Sequence, residues 1–108
     1  MSDSARTHEH LAAESQKRAA LARSRAEAAA EREQEALQEA LHAPDERSRA
    51  RHQREAETHR RAVASQERSA ALQDTHADHE RQAAAREARR ADGKRPPGAT
   101  GEEPGPDS

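Results

Sequence analysis

The apolar positions of this chain are almost all alanine, and they recur with a helical period. With Ala5 as the first position of a heptad, the first and fourth positions read Ala5, His8, Ala12, Ser15, Ala19, Ala22, Ala26, Ala29, Glu33, Ala36, Ala40 and Ala43. Nine of these twelve are alanine and one is serine. Further on, a seven-residue stripe reads Ala56, Val63, Ala70, Ala77, Ala84 and Ala91, with a polar stripe beside it, His59, Gln66, Gln73, Glu80 and Glu87. Steps of three and four residues return side chains to one face of a helix, and their alternation is the heptad of a coiled coil. Two helices with seams of small side chains are the predicted elements. Small seams let helices approach at the short end of the usual separation of about 8–10 Å.

The punctuation sets their ends. From Ser4 to Ala91 there is no Gly, a single Pro at 44, and an abundance of Ala, Glu, Arg and Gln, which are strong helix formers. Pro44 pushes the preceding residue out of the α region. Asp45 and Glu46 then put two carboxylates where a second helix dipole favours anions. Ser2, Asp3 or Ser4 can cap the first helix, His42 can sit on its last turn, and Gly93 is a plausible stop for the second. The reading is therefore a capping or disordered segment 1–4, helix 5–42, a turn at Pro44, helix 45–91, and a tail 92–108. That tail holds all four Gly and four of the five Pro, a disorder signature.

Composition narrows the architecture to these two helices. The chain has 108 residues, of which 26 are Ala, five Leu, one Val and one Met, with no Phe, Tyr, Trp, Ile or Cys. Ordering a residue costs roughly 1–2 kcal/mol of backbone entropy. Burying a Leu returns about 1.5–3 kcal/mol, but the single methyl of Ala only about 0.8 kcal/mol. Met1, Leu11, Leu21, Leu37, Leu41, Val63 and Leu72 cannot close a globular core. With β-branched and aromatic residues nearly absent, strands are excluded too. No apolar run reaches membrane-span length and no signal-like segment follows Met1, so no membrane is expected and the default location is the cytoplasm. Without Cys there is no thiol chemistry.

Charge suggests how the helices meet. Residues 27–39 carry five Glu and one Arg, and residues 47–61 carry six Arg and two Glu. In an antiparallel hairpin centred near Pro44, residue i faces roughly residue 87 − i, which sets these blocks against each other. Each exposed pair is worth only about 0–1 kcal/mol, but a continuous helix would leave both blocks unmatched. The expected fold is all-α: an antiparallel helical hairpin or coiled coil with a disordered C-terminal tail. Its interaction seam is Ala12, Ala19, Ala22, Ala26, Ala29 and Ala36 against Ala56, Val63, Ala70, Ala77 and Ala84. A hairpin this thin would gain from a partner, and two could form a four-helix bundle.

The seven histidines are the main chemical candidates. The hairpin register puts His8 opposite His79 and His10 near His76. His76 and His79 share a helix face. Asp74, Asp78 and Glu80 are close by, so His8, His76 and His79 are candidate ligands for Zn, Ni or Cu. Against this, His8 and His10 project to different sides, and no HExxH occurs. The Arg-rich segment 47–61 could touch phosphates, but the near-balance of 19 basic and 21 acidic residues and the lack of aromatics argue against nucleic acid. An enzyme is not expected: there is no phosphate loop or nucleophile elbow, and a thin hairpin offers no pocket in which to tune a pKa. Neither a cofactor nor a small-molecule substrate is implied.

A faint internal repeat links Ser15-Gln16-Lys17-Arg18-Ala19-Ala20-Leu21 to Ser65-Gln66-Glu67-Arg68-Ser69-Ala70-Ala71-Leu72. Through this composition most of the helical region resembles the small Ala-, Arg-, Glu- and His-rich helical proteins of GC-rich bacteria. The resemblance implies no activity for any named residue. The leading expectation is a non-enzymatic protein that self-associates or binds another helical protein. The alternatives are a hydrophilic stress-protective helix, similar to late-embryogenesis-abundant proteins, and a His/carboxylate divalent-metal binder.

Overall fold

A computed structural model describes residues 2–93. Helix α1 spans Asp3–Leu41, 39 residues, and helix α2 spans Glu46–Gly93, 48 residues. Ser2 and residues 42–45 are the only described residues outside them, and none of those described is in a strand. The helices pack side by side along their length as an antiparallel hairpin, 85 Å long and 19 by 12 Å across.

The ends follow from local hydrogen bonding. Ser2 is the N-cap of α1: its Oγ accepts from the Ala5 N–H at 3.0 Å, one of the donors that the first turn leaves without a partner. Asp3 and Ser4, read above as part of a leading segment, are already helical. The C-terminal end of α1 is set by Pro44. It has no N–H to offer the Ala40 carbonyl, and it restricts Ala43. Ala43 N–H turns back to the Ala40 oxygen at 3.3 Å instead, and His42 N–H reaches Gln38 O at 3.2 Å. His42 lies just past the last helical residue as the C-cap, and its Nδ1 is 2.9 Å from the same Gln38 carbonyl oxygen.

Asp45 precedes α2 as its cap, so the second helix starts at Glu46 rather than at residue 45. Asp45 Oδ1 accepts from the Ser48 N–H at 2.8 Å, and the Asp45 carbonyl accepts from the Arg49 N–H at 3.0 Å. The hydrogen bond from the Ser48 backbone, helped by the Ser48 hydroxyl, the Arg47 backbone and the charge of Arg51, holds the Asp45 carboxyl below the usual carboxylate range. The second helix runs through Asp92 and Gly93, two residues past the expected end at Ala91. From Lys94 onward the expected tail lies outside the described residues.

The core is a line of methyl groups. On α1 the buried residues are Ala5, Ala12, Ser15, Ala19, Ala22, Ala26, Ala29, Ala36 and Ala40, the heptad stripe almost unbroken. On α2 they are Ala56, Ala70, Ala77 and Ala84. Val63 is half-buried, and Ala91 is exposed, so the α2 stripe ends at Ala84. The other α2 stripe, His52, His59, Gln66, Gln73, Glu80 and Glu87, is half-buried throughout. Such side chains lay their stems over the methyl surface of α1 and keep their heads in water.

The register differs from symmetrical folding about Pro44. His8 meets Glu80 rather than residue 79, Glu33 meets Arg60 rather than residue 54, and Arg23 meets Asp74 rather than residue 64. Every partner on α2 lies farther from the turn than expected. Helical side chains lean toward their own N-terminus. Those of α1 therefore lean away from the turn and those of α2 toward it. Two side chains meet only if the α2 residue is rooted farther out.

Candidate interaction faces

The sequence-predicted seam is inside the molecule. Ala12, Ala19, Ala22, Ala26, Ala29 and Ala36 of α1 and Ala56, Ala70, Ala77 and Ala84 of α2 are each less than a tenth exposed, with Ala19, Ala22 and Ala70 forming one cluster. The seam is the contact between the two helices of one chain. It is buried rather than open at the surface.

Three polar residues interrupt the α1 stripe, and two of them are answered from α2. Glu33, its side chain only 16% exposed, accepts from Arg60 Nε at 3.1 Å. That bond raises the Arg60 pKa further above its ordinary value, with the charges of Glu57 and Glu33 adding to it. His8 Nδ1 lies 2.5 Å from Glu80 Oε1, and the other oxygen of that carboxylate is 3.8 Å from His76 Nε2. The third, Ser15, is fully buried and its Oγ has no hydrogen-bond partner. It is the only such buried side-chain atom among the described residues.

Of the metal candidates, the structure brings His8 and His76 together on Glu80, the carboxylate that the sequence reading placed only nearby. His79 is exposed on a neighbouring position and takes no part. Among the described residues no group of three His, Asp or Glu side chains is arranged to hold a metal ion. The His8 nitrogen instead sits at hydrogen-bond distance from the carboxylate, so the group joins the two helices at the end remote from the turn.

Open grooves lie between the helices. One, near the remote end, is lined by Ala12, Ala13, Ala84, Ala85 and Ala88 with Glu9, Gln16 and Arg81 at its rim. Another, by the turn, is lined by Leu37, Ala40, Leu41, Arg49 and Gln53. Leu41 is 73% exposed there, and Leu72 is similarly open in the middle of α2. No described helix is long and apolar enough to cross a membrane.

The charge blocks behave differently from the sequence expectation. They do lie alongside each other, but Glu33–Arg60 is the only ion pair between them. Other pairs close within one helix, as Arg49 with Glu46, His52 with Glu55, and Arg60 and Arg61 with Glu57. Glu27, Glu31, Glu35 and Glu39 are exposed, four residues apart, and have no ion pair; Arg32 between them has none either. Like charges at that spacing oppose the helix by about 0.2–0.5 kcal/mol per pair. On α2, Arg47 and Arg54 are likewise exposed and without an ion pair, and the exposed Arg51 acts on Asp45 by its charge. The acidic spacing is visible in the sequence. What could not be read there is that Arg60 alone would lean inward. In comparisons with protein-family models, curated proteins and solved structures, nothing matches this chain.

Proposed function

We propose that this chain is a non-enzymatic helical hairpin whose role is contact: self-association, or the binding of another helical protein. The observation that carries this reading is the division of its surfaces. The alanine stripes are buried against each other, and the outward faces near the turn carry uncompensated charge of opposite sign on the two helices. In coiled coils, flanking charges of this kind choose the partner and its orientation. The grooves are shallow, open and lined mainly by Ala and Leu, which suits a packing surface better than a site that must exclude water around a reacting group.

Sedimentation of the full chain across a range of concentrations, with circular dichroism melts at the same concentrations, tests the reading. Strong helicity and a midpoint that rises with concentration are expected for self-association. A helical chain that stays monomeric would leave only the binding of a different partner. A coil spectrum in dilute buffer would favour the stress-protective alternative and remove the hairpin as the working state.

A further inference from the structure

We propose that the outer ridge of α2 is a phosphate-binding surface, along which a duplex nucleic acid lies without regard to its base sequence. With Ala56 as a first heptad position, the third and sixth positions of α2 run opposite the seam from Arg47 to Arg89. All thirteen are exposed, and none is a carboxylate, although the helix holds nine. Seven are arginine: Arg47, Arg51, Arg54, Arg61, Arg68, Arg86 and Arg89. Five of these, Arg47, Arg54, Arg68, Arg86 and Arg89, have no ion pair. Arg61 stands 3.8 Å from Glu57, and Arg51 acts on Asp45 by its charge, yet both stay exposed. The near-balance of charge over the whole chain conceals this ridge, because every carboxylate of α2 stands at another heptad position.

The chemistry of the ridge selects its partner. At 1.5 Å per residue it is about 63 Å long. Between the arginines stand Thr, Ser, His and Gln, which can donate hydrogen bonds to phosphate oxygens, and one apolar residue, Leu72. A protein partner would want an apolar centre to the interface, and a membrane surface an apolar helix face to bury. The alanine face of α2 is already buried against α1. Duplex nucleic acid needs neither, because arginines that neutralise phosphates release condensed counterions, and that release drives binding. The lack of aromatic residues removes the stacking on which single-strand binding relies. The acidic stripe Glu27, Glu31, Glu35 and Glu39 does not oppose the duplex. It lies on the outer side of α1, across the 19 Å width of the hairpin, well beyond the screening length of about 8 Å at physiological salt.

The test is fluorescence anisotropy of a labelled duplex of about 20 base pairs, titrated with the full chain between about 50 and about 200 mM NaCl. Affinity should fall about a hundredfold or more over that range, as about four or five phosphate contacts require. Arg54→Gln/Arg68→Gln should weaken binding at least tenfold at low salt and flatten the salt dependence by about two contacts. Arg18→Gln/Arg25→Gln removes the same charge from exposed residues of α1 and should bind as the parent does. Circular dichroism checks that both variants remain helical. Should the first lose helicity, Arg86→Gln/Arg89→Gln must show the loss of affinity with helicity retained. No binding at low salt, or equal weakening by the α1 and α2 pairs, overturns the ridge as the site. Binding to vesicles of phosphatidylserine and phosphatidylcholine, with none to the duplex, overturns the proposal and assigns the ridge to a lipid surface. Self-association is read separately, by sedimentation without the duplex, and stands or falls on its own.

Discussion

The two helices share a composition and differ in what they contribute to the seam. Helix α1 offers small side chains at both seam positions, nine of them buried. Helix α2 offers Ala or Val at one position and a long polar residue at the other: His52, His59, Gln66, Gln73, Glu80 and Glu87. Close approach needs small residues on at least one side, and α1 supplies them. The remaining width is then filled from α2 by stems whose polar ends reach water along the edge. An alanine seam thus takes its lateral cover from the aliphatic parts of polar residues, and no large apolar residue is needed to close it.

This asymmetry is most directly broken by putting the same side chain on each helix. Ala19→Leu forces an isobutyl group into the Ala19, Ala22 and Ala70 cluster. Overpacking of that kind costs about 1–3 kcal/mol, so the melting midpoint should fall clearly. Gln66→Leu, on the half-buried stripe of α2, replaces a polar side chain with an apolar one of similar size. It should leave the midpoint unchanged or raise it. Thermal melts of the two variants, followed by circular dichroism, check the pair. Equal losses in both would show that α1 and α2 are interchangeable at the seam.

Ser15 sharpens the same comparison from within α1. It occupies a position that its neighbours fill with alanine, and its hydroxyl is buried with no partner. Leaving such a group unsatisfied costs about 1–3 kcal/mol, and Ala is also the better helix former. Ser15→Ala should therefore stabilise the hairpin by about 1 kcal/mol, read in a denaturant titration at unchanged slope. The reverse change, Ala22→Ser, should lose a similar amount.

The seam was legible because its signal is periodic and one-dimensional. Alanines recur at helical spacing, and Pro44 is the sole Pro or Gly between Ser4 and Ala91, so two helices and their fold-back follow from spacing and backbone chemistry. The site was less legible. Glu33 breaks the stripe in the sequence, but its remedy, Arg60, sits 27 residues away and depends on how side chains lean across an antiparallel pair. The same lean brings Glu80, and not His79, to His8. A register counted from the turn treats residues as points on an axis and misses that offset. The charge blocks misled for a related reason. Net charge per segment says nothing about which helix face bears it, and most of these charges point outward.

The turn offers a comparison between the two helix starts, both capped by side chains but only one of them ionisable. Ser2 caps α1 with a neutral hydroxyl, and Asp45 caps α2 with a carboxylate held below its ordinary value of 3.8. A group whose folded pKa is lowered stabilises the folded state above its unfolded pKa, and that contribution fades as pH falls through the folded value. Asp45→Ala should accordingly lower the midpoint at neutral pH, and the gap to the parent should close as the buffer drops below about 3.8. Asp45→Asn keeps an acceptor for the Ser48 N–H and should show a smaller, pH-independent gap. Ser2→Ala should cost about 1 kcal/mol with no such pH profile.

The smallest expected effect concerns the remote end, where His8 and Glu80 join the two helices that Pro44 joins covalently at the other. If this pair chiefly fixes register, its energetic coupling is modest, because His8 keeps about a third of its surface open to water and screening limits such contacts to about 0–1 kcal/mol. A double-mutant cycle of His8→Ala and Glu80→Ala should therefore give a coupling below about 1 kcal/mol. Hydrogen exchange adds what stability alone does not show. Amides near Ala5 and Ala84 should exchange faster in His8→Ala, and those near Ala36 and Ala56 should not, because the turn holds that end without help. A coupling of several kcal/mol, or loss of protection along the full length, would make the pair a principal support of the hairpin and demote the alanine seam to a consequence of it.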